Sequence, residues 1–366
     1  IEFDRANEFL FVAGDSGLVG RYSMSEDVLK RFVGHIGDVR DIALHEESGR
    51  LLSVGGDHTV RLWDLESGQE LRVFDQNADL WCVKFSPDGR MAYSGGGVSP
   101  EGGSIYRWNL DETDSGTPVH IYPHLEKAWD LEISADGGIL AAVLGSSVVL
   151  REIDSGQIIG SPLVHSRVVY DIRFVDNDKR IITACHDGRY RVWDLESGNV
   201  VYLSQPQDFP VRGVDISPDG RFVATAGWDS VLRFWERPTG NMAQSILRHS
   251  GRVNAVRFGA SGHKVATACT DGTLRIWNLA GQQAPKRFGE GWSAHHNGFA
   301  VRIDQGNVDL RKFGERIEMP EIGIETDQES KVFLTERGDF LVVKESHVGS
   351  EYVISLVDLD QEGFAT

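Results

Sequence analysis

RIITACHDGRYRVWDLESG, residues 180–198, is the stretch whose recurrence organises the whole chain. It has close counterparts in RLLSVGGDHTVRLWDLESG at 50–68 and KVATACTDGTLRIWNLAG at 264–281. Each pairs two short apolar runs across an Asp-containing turn and closes on a second turn, which predicts β-strands rather than helix. Trp193, Trp235 and Trp277 fall 42 residues apart, Trp63 and Trp108 fall 45 apart, and Trp108 and Trp193 lie 85 apart, two periods. In the middle of that gap LREIDSG replaces the usual LWDLESG and puts Arg151 at the tryptophan position. SPDG at 86–89 and 217–220 and SADG at 134–137 keep the same step.

Within one period the pattern resolves into four strands. VRGVDI, RFVATAG, VLRFWE and NMAQSIL are separated by SPDG, WDS and RPTG, where Pro, Asp and Gly supply turn geometry. Four short strands every ~42 residues is the mark of a β-propeller blade. Nine such units can be counted: an N-terminal blade at 1–33, six clear repeats over 34–288, and one or two degenerate blades in 289–366. The reading is a single all-β propeller of four-stranded antiparallel blades spanning 1–366. Seven blades are clear and the ring holds eight or nine, with a seven-bladed ring plus leftover units as the alternative.

These residues resemble the WD-repeat family, most specifically between residue 34 and about residue 280. The resemblance gives meaning to a recurring quartet: His35, Ser53, Asp57 and Trp63; His165, Thr183, Asp187 and Trp193; His249, Thr267, Asp271 and Trp277. In each set histidine precedes tryptophan by 28 residues and the carboxylate precedes it by six. A hydrolytic triad is a single site with an oxyanion hole, whereas these sets come once per blade. The resemblance implies a buried hydrogen-bonded chain in which Asp accepts from His, Ser or Thr bridges, and the indole N–H donates. Gln207 stands where unit six would have histidine, so that blade and the Arg151 blade are expected to be less firmly pinned. Loss of Asp57, Asp187, Asp229 or Asp271 is expected to lower stability, not a turnover number.

Interaction is expected where the copies differ. The second residue of the first strand in successive units is Arg40, Trp81, Trp129, Tyr170, Arg212 and Asn254. Its neighbours are interchangeable aliphatics, but this column holds the residue types that dominate binding hot spots. The resemblance places it on the top face around a central channel; the blander possibility is that the aromatics plug the channel or pack between blades. A second column, ahead of the turn aspartate, reads Gly56, His186, Trp228 and Thr270, and Trp228 and His186 join the candidate partner-binding set. GVSPEGGS at 97–104 and the acidic PEIGIETDQES at 320–330 are insertions that could serve the same face or be solvated loops.

Composition narrows the rest. A formal net charge of −18 repels nucleic-acid phosphate and anionic membrane and tilts the expected partners toward basic proteins or peptides. No apolar run is long enough to span a bilayer. Three cysteines, Cys82, Cys185 and Cys269, with no CxxC, point to free thiols in a reducing compartment, hence the cytoplasm. No nucleotide-binding, catalytic or calcium motif occurs, and His295–His296 lack a third ligand at zinc spacing, so no metal and no cofactor is expected. The chain opens at Ile1 without an initiator Met, which suits a piece of something longer. The expected function is a non-catalytic protein–protein interaction scaffold. The alternatives are a ligand-sensing propeller module of a larger signalling NTPase or kinase and, more remotely, an enzyme with acids or metals lining the channel.

Overall fold

A computed structural model describes residues 1–279 apart from short stretches (27, 77–78, 98–102, 112–117, 125, 238 and 250), and beyond them the backbone of seven strands between Trp292 and Leu356. The chain divides into two compact units, Ile1–Arg287 and Phe288–Thr366.

The first unit is built of seven antiparallel sheets in chain order, each a meander of neighbouring strands. Blade two shows the plan: strand a is Val39–His45, b is Arg50–Gly55, c is Thr59–Asp64 and d is Glu70–Asp75. Strand b is buried along nearly its whole length, whereas strand d exposes most of its residues, so the blade is dry inside and wet at its outer edge. Repeated turn sequences give repeated turn geometry. In the SPDG and SADG turns Ser86, Ser134 and Ser217 donate to Asp88, Asp136 and Asp219. The same hydroxyls accept the amides of Met91, Ile139 and Phe222, and Gly89, Gly137 and Gly220 take positive φ. In the two DLESG turns Asp64 and Asp194 each accept from the amide and hydroxyl of the serine three residues on.

The core lies between blades, one apolar cluster per junction. Leu52, Val60 and Phe74 of blade two pack on Leu80, Val83 and Trp108 of blade three, and the pattern continues round to blade seven. Ala266, Leu274 and Ile276 of blade seven then pack on Leu10, Val12, Ile1 and Phe3 of blade one. Lys264 Nζ donates to the Asn7 carbonyl at 3.0 Å across the same seam. The ring therefore closes at seven blades. The count of eight or nine is corrected here, because blade seven's apolar face is already covered by blade one. Blade seven shows three strands among the described residues, Val253–Phe258, Lys264–Cys269 and Leu274–Asn278.

The second unit contains the eighth and ninth candidate repeats. Its strands form a four-stranded antiparallel sheet from Trp292 to Arg316 and a three-stranded one from Ser330 to Leu356.

Candidate functional site

The column Arg40, Trp81, Trp129, Tyr170, Arg212 and Asn254 has a single structural cause. In each of these six blades strand a carries a β-bulge, and the member of the column is the residue left without a cross-strand partner. In blade two Val39 faces Gly55 and Asp41 faces Val54, which strands Arg40; the same skip strands the other five. A bulge bends its strand and re-aims the extra side chain. Strand b comes so close at this point that a Cβ at Gly55 or Gly96 would collide with the carbonyl of Asp38 or Asp79.

The re-aimed side chains meet. The ring centroids of Trp81 and Trp129 are 5.3 Å apart, and Trp129 meets Tyr170 edge-on at 5.3 Å. Tyr170 Oη is hydrogen-bonded to His186 Nδ1 at 2.7 Å, and Trp228 lies 5.5 Å from His186 and 6.2 Å from Tyr170. Cations lie over this row: Arg40 at 4.0 Å from the Trp81 ring, Arg212 at 4.6 Å from Tyr170, Arg252 at 4.6 Å from Trp228. Lys127 Nζ sits between two indoles, 3.0 Å from the Trp81 centroid and 3.7 Å from that of Trp129. Burial, together with Arg40 and Arg212, pulls its ammonium down to about 8. Trp81, Trp129, His186, Arg212 and Trp228 are half-buried, so they are not sealed between blades. Tyr170, in the middle of the row, is buried, and Asn254 is exposed on blade seven outside this chain of contacts.

The quartets form unevenly. In blade two the chain is complete: Trp63 Nε1 donates to Ser53 Oγ at 2.7 Å, Ser53 Oγ lies 2.7 Å from His35 Nε2, and His35 Nδ1 lies 2.8 Å from Asp57. In blades five and seven three members connect: Trp193 and His165 both reach Thr183, and Trp277 and His249 both reach Thr267. The carboxylate does not join in either. His165 Nδ1 instead donates to the Leu163 carbonyl at 3.1 Å, and Asp187 is taken by Arg191 and Ser166. His249 Nδ1 is buried without a hydrogen-bond partner, while Asp271 accepts from Thr273. This corrects the expectation that Asp accepts from His in all three sets. In blade five Arg191, four residues after the aspartate, closes directly on Asp187, whereas its blade-two counterpart Arg61 donates to Glu70 and stays 3.4 Å from Asp57, whose carboxylate remains with His35. Burial, with Arg191 nearby, brings His165 down to about 4. The blade-six substitution is functional as a link: Gln207 Nε2 donates to Thr225 Oγ1 at 3.4 Å, and Arg233 donates to Gln207 Oε1 at 3.0 Å.

Deeper along the inner strands lies a belt of charge. Asp41, Asp130 and Asp171 each accept a backbone amide from the next blade, those of Val83, Ile172 and Val214, at 2.9, 3.0 and 2.9 Å. Asp215 does the same to Phe258 at 2.7 Å. Taken round the ring, Lys84, Glu132, Arg173, Asp215, Arg257 and Glu2 alternate between basic and acidic side chains. Lys84 is 3.5 Å from Glu132, Arg173 is 3.4 Å from Glu132 and 3.2 Å from Asp171, and Arg257 is 3.8 Å from Glu2. Burial pushes Asp130 well up and Asp215 up to about 7. Burial also works against the charge of Arg173, yet Asp171, Glu132 and Asp130 hold it well above its usual value. These acids are occupied by amides and guanidinium groups, which makes the belt a set of inter-blade fasteners.

Comparison with known proteins agrees with the repeated blades. The profile of the WD domain, G-beta repeat, matches residues 26–64, 68–109, 156–194, 200–236 and 240–278, more than half of the chain. The chain belongs to the WD40 repeat family. Human pre-mRNA-processing factor 17 is 25% identical over 196 residues, which cover 53% of this chain and 26% of that protein. Eukaryotic translation initiation factor 3 subunit I of Drosophila willistoni is 24% identical over 227 residues, 60% of this chain and 70% of its own length. WD repeat-containing protein SL1-17 of Schistosoma mansoni is 24% identical over 213 residues, 57% of this chain and 54% of its own. The chain thus spans about a quarter of the first of these WD40 relatives.

Several residues of the site escape a reading of the repeats by tryptophan spacing. Blade three has its own link, Gln76 Nε2 to Ser94 Oγ at 3.2 Å and Trp108 Nε1 to Ser94 Oγ at 2.8 Å. An interval of 18 from His or Gln to Ser or Thr holds for 35 and 53, 76 and 94, 165 and 183, 207 and 225, and 249 and 267, and reveals it. Lys127 and Arg252 stand immediately ahead of strand a, in a column that also contains Asp38 and Asp79. The belt is signalled by charges two and four positions into strands that otherwise read as core.

His249, Cys269 and Asp271 bring three ligand-type atoms within 4.8 Å of one another, the one such group among the described residues. Its carboxylate is already held by Thr273, and Arg275 lies 3.7 Å from it, so the group reads as the displaced quartet of blade seven. All three cysteines are free, Cys82 and Cys185 buried, and burial pushes both thiols up, away from the nucleophilic form. The pair His295–His296 and most of the 97–104 and 320–330 insertions fall outside the described side chains. No helix among the described residues is long and apolar enough to cross a membrane.

Proposed function

We propose that this protein is a non-catalytic interaction scaffold that docks a peptide or protein segment on the mouth of the ring formed by Arg40, Trp81, Trp129, Tyr170, His186, Arg212, Trp228 and Asn254. The observation that carries this reading is the bulge in six successive inner strands, which gives up cross-strand pairing at unlike residues, five of which, aromatic or cationic, meet in one row. A rigid ring loses little freedom on association, so contacts made there convert efficiently into affinity. Large, half-buried rings with accessible faces are the residue type expected at the centre of such a contact. By its name, the relative factor 3 subunit I works as one part of a larger assembly, which suits a scaffold.

The charge of the whole chain favours a basic partner, but the cations at the mouth itself point the other way. The three free cysteines suit a reducing compartment such as the cytoplasm. The test is a triple variant, Trp81→Ala, Trp129→Ala and Arg212→Ala. Partner binding is expected to disappear while the thermal melt stays close to that of the parent. Retained binding by a folded triple variant would move the docking surface elsewhere.

A further inference from the structure

The mouth is electropositive in a strongly acidic protein. Lys127, Arg212 and Arg252 form no ion pair with a carboxylate among the described residues; what they contact instead is aromatic faces, Trp81 and Trp129, Tyr170, and Trp228. Of the four, Arg40 is the one that forms an ion pair among the described residues, with Asp79 at 3.4 Å. Elsewhere many cations meet carboxylates, among them Arg173, Arg191, Arg233 and Arg237, and where a cation such as Arg21 or Arg221 lies over a ring it does so singly, on Phe9 or Phe222. With 55 acidic residues against 37 basic ones, partners for cations are plentiful. Three cations left on aromatic rings at one place is an arrangement that an external anion would relieve.

We propose that the arc from Lys127 through Arg212 to Arg252 binds a short carboxylate-rich peptide segment. Its Asp or Glu side chains meet the three cations, and an apolar side chain between them covers the indoles of Trp81 and Trp129. This inference rests on the docking reading above and names the chemistry of what docks. The cations already sit on rings, so they are held in place before the anion arrives, and cation–π contact leaves their outer N–H groups free to donate. The mutual repulsion of Lys127 with Arg40 and Arg212, which helps pull that ammonium down to about 8, falls when a carboxylate enters. A continuous phosphate backbone fits less well than a peptide. It would extend past the arc into the acidic edge at Asp38 and Asp79 and into the field of a chain whose net charge is −18.

The experiment uses the intact chain as bait for a displayed library of random twelve-residue peptides, in parallel with a labelled oligo-dT strand. Enriched peptides are expected to be rich in Asp and Glu with a central apolar residue. Their binding is expected to weaken at least tenfold in Lys127→Gln/Arg212→Gln and to weaken as salt rises. The single variant Lys127→Gln, with its melt recorded, guards against a folding defect in the double. Enrichment of neutral or basic peptides that still need Trp81 and Trp129 would overturn the acidic partner while leaving the docking reading intact. Peptides indifferent to every mouth substitution, or no enrichment at all, would overturn both. Preference for oligo-dT over any peptide would replace the peptide with a nucleic-acid strand and sink the proposal.

Discussion

His35 Nδ1 lies 2.8 Å from the Asp57 carboxylate, whereas His165, at the same place in blade five, gives its Nδ1 proton to the Leu163 carbonyl and leaves Asp187 to Arg191. Identical sequence spacing therefore conceals two different ways of satisfying a buried imidazole. A double-mutant cycle separates them. His35→Ala combined with Asp57→Ala is expected to show a coupling of about 2 kcal/mol, the scale of one hydrogen bond to a charged group. The cycle between His165 and Asp187 is expected to give well under half of that. Equal couplings, measured by denaturant unfolding, would contradict the two geometries.

The channel belt predicts a large effect from one side chain. Arg173 is buried against Asp171, Glu132 and Asp130, and Arg173→Met would remove the guanidinium they share, leaving Asp130 to the Ile172 amide, Glu132 to Lys84 and Asp171 to Arg257. Breaking a buried ion cluster at one member costs on the order of 3–5 kcal/mol. Arg173→Met is therefore expected to melt far below the parent, and a melt within a few degrees would show that the belt is dispensable.

Asp215 gives the pH dependence a definite sign. Its folded-state value is raised by burial from 3.8 to about 7, so between those limits the folded chain holds a proton that the unfolded chain has lost. Its contribution to stability is present at acid pH and declines as pH rises through that window. Asp215→Asn cannot titrate and its side-chain oxygen can still accept from the Phe258 amide. The melting temperature of the variant relative to the parent is expected to climb from pH 4 to pH 7, and a flat difference would remove Asp215 as the cause.

Lys127 behaves in the opposite sense. Its ammonium is lowered from 10.5 to about 8, so over that interval the unfolded chain binds more protons and stability from this group rises with pH, then stays level below it. Lys127→Met is expected to lose that rise. An amine-acylating reagent at pH 8, read by peptide mass mapping, is expected to modify Lys127 ahead of ordinary surface lysines. Slower labelling than its neighbours would contradict the perturbed ammonium.

The repeat, the blade plan and most quartet members were legible because turn residues and tryptophans recur at a fixed step, and a recurring step is what a ring of equal blades requires. The ring number was not legible. Ring closure depends on whether Ala266 and Leu274 meet Leu10 and Val12, a contact between the two ends of the repeat array that no local pattern encodes. The mouth column was visible as variation, but its cause, a bulge at Arg40 and its five counterparts, is a matter of cross-strand register and leaves no mark of its own. Lys127 and Arg252 carry no signal of their own in the sequence, because a charge just ahead of a strand looks like an ordinary loop residue. Only the positions of Trp81, Trp129 and Trp228 give those two cations a role.

The most direct test of docking at the mouth is oxidative footprinting of the intact chain, with side-chain labelling quantified residue by residue before and after saturation with a bound peptide. Protection is expected at Trp81, Trp129 and Trp228, with no change on the outer strands at Ile158, Val201 or Met242. Protection confined to those outer strands, with the three indoles labelled as fast as before, would contradict the account.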